Sequence, residues 1–426
     1  MMRTRLLALA AASSLALTAA CGGGGGTGAK GTTSAVPTAP AAKGDGTLTI
    51  GTLLPQTGSL AFLGPPDFAG VDLAVKEIND AGGVLGKPVK KIDTDSGDTT
   101  TNIASQSVDK LLAQKVDAII GAASSSVSES VIDKITGAGV VQFSPANTSD
   151  KFTTIKDNGL YFRTAPPDKL QGRVLGDLIV ADGNDTIGIL AMQDSYGSGL
   201  ADQVTKTAEE AGASVVARVD YDPKAADFSA DVAKIKAANP KAVVLIGFEE
   251  GAKVIAELVK QGLTSDKVKW YMVDGNMSNS NYLRMPKGTL KDVKGTIPGA
   301  AAPDDFRKRL LAIDPKLTNF TYAAESYDAA ILIALAAEAA KDDSGRSIAA
   351  KLPDVSGGGE KCKSFKACVK LLKAGKDIDY DGVSGPVEFN AAGDPSIATI
   401  GIYQYGDDNK YNATKAIEYR TGKIEG

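Results

Sequence analysis

Histidine is absent from this sequence. With it goes the residue most often used as a general base and the commonest transition-metal ligand. A Ser-His-Asp triad, a Cys-His pair and an H-E-x-x-H zinc helix are therefore excluded, and neither a metal nor a cofactor is expected. A phosphate-binding loop is missing as well. The nearest stretch, Gly82-Gly83-Val84-Leu85-Gly86-Lys87-Pro88, has the wrong spacing and a proline where Ser or Thr must meet magnesium, so it reads as a turn. An excess of basic charge is also lacking. Arg3 and Arg5 are the only charged residues of the first 20, which leaves 45 basic against 51 acidic side chains in the remainder. A mildly acidic chain without a basic run is a poor partner for nucleic acid.

What is present describes a globular protein: 43% hydrophobic and 23% charged residues over a length of 426, too long for one ordinary core and suited to two domains. Residues 1–20 carry a short basic flank and an apolar stretch from Leu6 to Ala20 that falls short of a membrane span. They read as a signal peptide. The stretch ends on Ala19-Ala20-Cys21, which resembles a lipoprotein processing box, although Thr18 stands where leucine is usual. Cys21 is then the expected lipid attachment point, and a secreted protein with a free Cys21 is the alternative. Residues 21–46 hold five consecutive glycines and then Thr, Ser, Ala and Pro, the composition of a flexible tether. The expected location is extracytoplasmic, at the outer face of the cytoplasmic membrane. Cys362 and Cys368 remain; in an oxidising exterior such a pair reads as a local disulfide.

From residue 47 onward short apolar runs alternate with amphipathic helical patterns. Strands are expected at Thr47–Leu54, Val89–Thr94, Val116–Gly121, Val140–Ser144, Thr186–Ala191, Ser214–Val219, Lys241–Gly247 and Val268–Val273. Phe68, Val71, Val75 and Ile78 recur at helical spacing, as do Val127, Val131 and Ile135, and Phe228, Val232 and Ile235. Alternating βα units imply parallel sheets with helices on both faces. The run divides near Arg163-Thr164-Ala165-Pro166-Pro167, a long helix is expected over Tyr322–Lys341, and two strands close the chain.

Several stretches resemble the leucine/isoleucine/valine-binding branch of the type I periplasmic-binding-protein superfamily. They are Leu54-Pro55-Gln56-Thr57-Gly58, Glu77 to Gly83, Ile120 to Ser126, Ser144-Pro145-Ala146-Asn147-Thr148, Phe162 to Pro166, Tyr196-Gly197 and Asp227-Phe228-Ser229. The resemblance spans nearly all of residues 47 to 407. It implies an α/β protein of two doubly wound parallel-sheet lobes joined by a three-crossing hinge, with a solute enclosed when the lobes close. Carried onto this chain, lobe 1 takes residues 47–165 with 300–384, lobe 2 takes 166–299 with 385–426, and the crossings fall near 164–167, 296–300 and 384–388. The resemblance also implies a permease and ATPases on other chains as partners, and a monomeric receptor.

The same resemblance places a ligand site. Ser124 and Ser125 follow a strand and open a helix, where hydroxyls and free N–H groups suit a carboxylate; the plainer role for them is helix capping. Ala146 and Thr148 fall in a loop that contacts the ligand's polar head in the family, or Thr148 stabilises a turn. Asp274 stands where the family often has an acid facing an ammonium, and Asp274-Gly275 also reads as an ordinary turn. Tyr196, Phe248, Leu63 and Phe62 are expected at the apolar end, with core packing as the alternative. Glu249 and Glu250 read as a solvated helix start, and would suit a basic ligand side chain if they point inward. The family's cysteine is replaced by Ala123. The implied function is capture of a small zwitterion, an aliphatic or branched-chain amino acid, for an ABC importer. Alternatives on the same scaffold are a surface sensor or a binder of an amide, urea or aromatic acid. A carboxylate-based hydrolase would need a second acid converging with Asp274, and the sequence offers none with a claim to the site.

Overall fold

The structure, a computed structural model, describes residues 43–424. The signal peptide expected over 1–20, the lipid attachment expected at Cys21 and the tether up to residue 42 lie outside the described residues.

Five strands form the first sheet: β1 (Thr49–Leu54), β2 (Lys90–Asp95), β3 (Ala118–Gly121), β4 (Val141–Ser144) and β5 (Tyr161–Arg163). All pair in parallel, in the order β2-β1-β3-β4-β5. Helices α1 (Gly64–Asp80), α2 (Ile103–Ala113) and α3 (Ser125–Gly137) are the crossovers. Every residue of β1, β3 and β4 is buried, as expected for strands covered on both faces. One face packs α2 and α3 through Val108, Leu111, Val127, Val131 and Ile135.

The chain then leaves this sheet through 164–167 and builds α4 (Asp168–Ala181), β6 (Thr186–Met192), α5 (Ser195–Glu210), β7 (Ser214–Tyr221), α6 (Ser229–Ala238), β8 (Ala242–Ile246), α7 (Gly251–Lys260), β9 (Lys269–Val273) and β10 (Lys294–Pro298). It returns to the first core with α8 (Asp304–Ile313), α9 (Ala323–Ala340), α10 (Gly345–Ser356), β11 (Glu360–Cys362), α11 (Phe365–Lys373) and β12 (Ile378–Tyr380). Last come β13 (Ile397–Gln404) and β14 (Glu418–Lys423), which extend the second sheet antiparallel, in the order β14-β13-β10-β9-β8-β6-β7. The fold is thus two α/β lobes, the first with an all-parallel sheet between helices and the second with a parallel sheet extended by the antiparallel β13 and β14.

The third passage between lobes lies beyond the expected 384–388. Val387 and Phe389 are still buried in the first core, where the Phe389 ring meets Phe143 at 5.8 Å and Phe162 at 5.3 Å. Four strands were not among those expected from the sequence as regular runs. β5, β11 and β12 are three residues each, and β10 reads Lys-Gly-Thr-Ile-Pro, whose glycine and proline are poor strand formers. β10 holds its place because β9 pairs with it on one side and β13 on the other.

Helix α9 is buried at every position from Ala323 to Ala337. Its alanines let neighbours approach closely, and at the α1 crossing a Cβ on Gly70 would stand 2.3 Å from the Ala323 carbonyl oxygen, so only glycine fits there. Cys362 and Cys368 are bonded, with Cα atoms 5.3 Å apart, and both are buried in the first core. Among the described residues no helix is long and apolar enough to cross a membrane.

Candidate functional site

Loops at the carboxyl ends of β1, β3, β4, β8 and β9 converge between the lobes, the usual place for a ligand in an open α/β sheet. β3 ends on Gly121, where φ is +127° and a Cβ would meet the Leu53 carbonyl oxygen at 2.0 Å. The chain turns there, and Ser124 becomes the N-cap of α3, its Oγ accepting from the Val127 N–H at 3.4 Å. The capping role is therefore real. Ser124 and Ser125 also line a cavity, so capping and ligand contact are compatible at this helix N-terminus.

The cavity is walled by Leu60, Leu63, Ala123, Ser124, Ser125, Ala146 and Thr148 from one side and by Tyr196, Phe248, Asp274 and Gly275 from the other, with Tyr322 at the start of α9. It is nearly closed, with a volume of only about 10 Å³. Ser124 and Phe248 also border an outer cleft of about 770 Å³ lined by Gly58, Asp98, Lys224, Glu249 and Lys253. Of the side chains expected at the site, eight expected for the ligand meet at this cavity and Phe62 does not. Phe62 is half-buried and borders a separate groove with Pro65, Leu283 and Lys316.

Asp274 is the chemical centre. It is buried, and three neutral donors hold it: Gln171 Nε2 and the Tyr196 hydroxyl on Oδ1 at 2.8 and 2.9 Å, and the Tyr322 hydroxyl on Oδ2 at 2.7 Å. Burial pushes its carboxyl above the usual range, while Gln171, Tyr322 and Tyr196 pull it back. No salt bridge reaches it among the described residues. A buried, oriented carboxylate that no side-chain cation pairs can accept one. The Tyr196 ring stacks on Phe248, centroids 5.5 Å apart, and with Leu60 and Leu63 forms the apolar wall. Gly275 makes room for it, since a Cβ there would lie 2.8 Å from the Phe248 ring.

The Ala146–Thr148 loop is fixed from behind. Arg163 is fully buried; its Nε donates to Asp394 Oδ1 at 2.6 Å and its Nη1 to the carbonyls of Asn147 and Ser149 at 3.2 and 2.8 Å. Glu250 is half-buried rather than solvated. Its Oε1 accepts from the Phe248 N–H and the Tyr221 hydroxyl, both at 2.9 Å, and so holds the Phe248 loop in place.

Four contributors escaped the sequence reading. Leu60 lies in a turn with no periodicity. Tyr322 takes a left-handed conformation, φ +61°, that aims it at Asp274 from another element. Gln171 and Asp168 sit in the first turn of α4, where polar residues are ordinary. The nearest thing to a signal for them is the Pro166-Pro167 pair, which starts that helix beside the cleft.

A family model described as "Periplasmic binding protein" matches residues 47–410. A substrate-binding protein of a chemotactic signal transduction system from Halobacterium salinarum is 29% identical over 364 residues, 82% of this chain and 84% of that protein. A Leu/Ile/Val-binding protein homolog from Brucella abortus is 27% identical over 372 residues, covering 85% and 92%. Among solved structures, a branched-chain amino acid transporter substrate-binding protein from Streptococcus pneumoniae, in complex with isoleucine, superposes with a TM-score of 0.72 at 23% identity, over 89% of this chain and 100% of that one.

Proposed function

The chain belongs to the periplasmic binding protein family, and from that premise we propose that it is a lipid-anchored, extracytoplasmic receptor that captures an aliphatic α-amino acid and delivers it to an ABC permease. The observation that carries the ligand class is Asp274, a buried carboxylate held by three uncharged donors in the same cavity as the α3 N-terminus. A zwitterion satisfies both: its ammonium meets Asp274, Thr148 and the Ala146 carbonyl, and its carboxylate meets Ser124 and the free amides of α3. Leu63, Tyr196 and Phe248 then receive an uncharged side chain. The Leu/Ile/Val-binding name of the Brucella relative points the same way. The protein binds its solute and does not turn it over, with lobe 1 built from 47–165 and the segment after 300, and lobe 2 from 166–299 and the C-terminal strands.

Calorimetry on the full chain tests this reading. Leucine, isoleucine or valine should bind, whereas N-acetyl-leucine, leucinamide, urea and benzoate should bind far more weakly. Tight binding of an uncharged or purely anionic solute would reject it. A second reading, a receptor that signals through a partner, is favoured by the chemotactic system of the Halobacterium relative. It predicts the same ligand, and deletion of the cognate permease would leave the response to that ligand intact.

A further inference from the structure

Beside Asp274 lies a second buried acid. Asp168, the first residue of α4, is 0% exposed, and neither of its carboxylate oxygens has a hydrogen-bond partner. Its N–H donates to the Thr148 carbonyl at 2.6 Å, which ties it to the cavity loop. Three residues on, Gln171 donates to Asp274 at 2.8 Å. The Thr148 hydroxyl favours its charged form without completing a hydrogen bond to it.

The surrounding charges relieve it only in part: Arg163 favours the anion, and Asp150 and Asp274 oppose it. From the 150–153 turn comes Asp150, which accepts from the Lys169 N–H at 3.0 Å and Gln203 at 2.8 Å while burial holds its carboxyl above the usual range. From β5 comes Arg163, whose guanidinium is committed to Asp394 and to the loop carbonyls. From α5 come Gly199 and the Tyr196 hydroxyl, the latter donating to Asp274. Asp168 thus faces two acids and a guanidinium whose hydrogen bonds go elsewhere. Burial first, then the negative charge of Asp150, pushes its carboxyl well above the usual range. Asp274 adds to the negative charge around Asp168, and the geometry favours the proton on Asp168: three donors stabilise the anion at Asp274 and none bonds Asp168.

We infer that Asp168 is protonated in the solute-free protein and loses that proton to solvent when a ligand ammonium enters beside Thr148 and Asp274, so that capture is coupled to proton release. The Asp168 O–H bond breaks, the proton passes to buffer, and the ammonium replaces its positive charge. The inference rests on the amino-acid reading of the site. Its sign follows: the free protein holds a proton that the complex does not, so affinity rises with pH and levels off once Asp168 is ionised in the free protein too.

The test is calorimetry with leucine on the full chain, across about pH 5 to 8, in phosphate and in Tris, whose ionisation heats differ. About one proton should be released per leucine, with the dissociation constant falling up to about tenfold per pH unit within the linked range. Asp168→Asn should bind leucine with no proton released and a flat pH profile. Leucine binding with equal heats in both buffers throughout overturns the coupling, and a variant that still releases the proton overturns its assignment to Asp168. Should that variant not fold, the wild-type buffer comparison decides alone. Absence of heat with every amino acid overturns the functional reading, and the coupling with it.

Discussion

At the residue scale, the site separates groups that carry charge from groups that share it. Asp274→Ala removes the cavity carboxylate that three donors orient, leaving an incoming ammonium without its counter-charge. The expected loss is roughly 2–5 kcal/mol of binding free energy, as for other truncated buried charge pairs. Ser124→Ala should cost less, roughly 0.5–1.5 kcal/mol, because the amides of α3 remain. Calorimetry with leucine separates the two, and an Asp274→Ala protein with wild-type affinity would remove Asp274 from the site. Ser124, Thr148 and Asp274 were legible because each closes a strand whose apolar run is visible and each sits in a stretch the family shares. Asp168 and Tyr322 were not. An acid opening a helix is ordinary chemistry, and a tyrosine becomes a site residue only through a partner 48 positions away.

At the element scale, loops are precise here because charged groups clamp them from below. Arg163 ends β5, yet it bonds the carbonyls flanking Thr148 and the Asp394 carboxylate in the third passage between lobes. Arg163→Met should leave Asp394 buried and unpaired, at a cost of roughly 3–5 kcal/mol in stability. A urea unfolding midpoint equal to wild type would contradict this. The Cys362–Cys368 bond closes a short loop between β11 and α11 that lines no part of the cavity. Replacing both cysteines with alanine should cost roughly 2 kcal/mol of stability and leave leucine affinity unchanged; a lost affinity would mean that this loop bears on the cleft. The sequence pattern identifies the long elements, since β1, β8 and α9 are apolar enough to declare themselves. It misses β10, whose strand character comes wholly from the two neighbours it pairs with.

At the scale of the whole molecule, the lobes are joined across the cleft by side chains that never touch the cavity's polar end. The Ser126 hydroxyl donates to Asp194 Oδ2 at 2.9 Å, the Ser149 hydroxyl to the Ser195 carbonyl at 3.2 Å, and Gln203 to Asp150 at 2.8 Å. A cavity of about 10 Å³ cannot admit an amino acid while these bonds hold, so entry and exit require the lobes to part. Binding then proceeds through an open form in which the latch is unmade, and dissociation must first break it. Ser126→Ala removes the bond to Asp194, worth roughly 0.5–1.5 kcal/mol, together with the contacts of the same hydroxyl to the Ser195 Oγ at 3.0 Å and from the Ser195 N–H at 3.3 Å. Leucine dissociation should therefore accelerate roughly two- to tenfold, with association nearly unchanged, since affinity differences of this kind reside mostly in the off-rate. Stopped-flow fluorescence on the variant reads both constants. Small-angle scattering supplies the companion measurement, because leucine should compact the wild-type protein and the variant should need more leucine to reach the same profile. Wild-type dissociation in Ser126→Ala, or a profile that leucine leaves unaltered, would show that the lobes do not close around the solute through this latch.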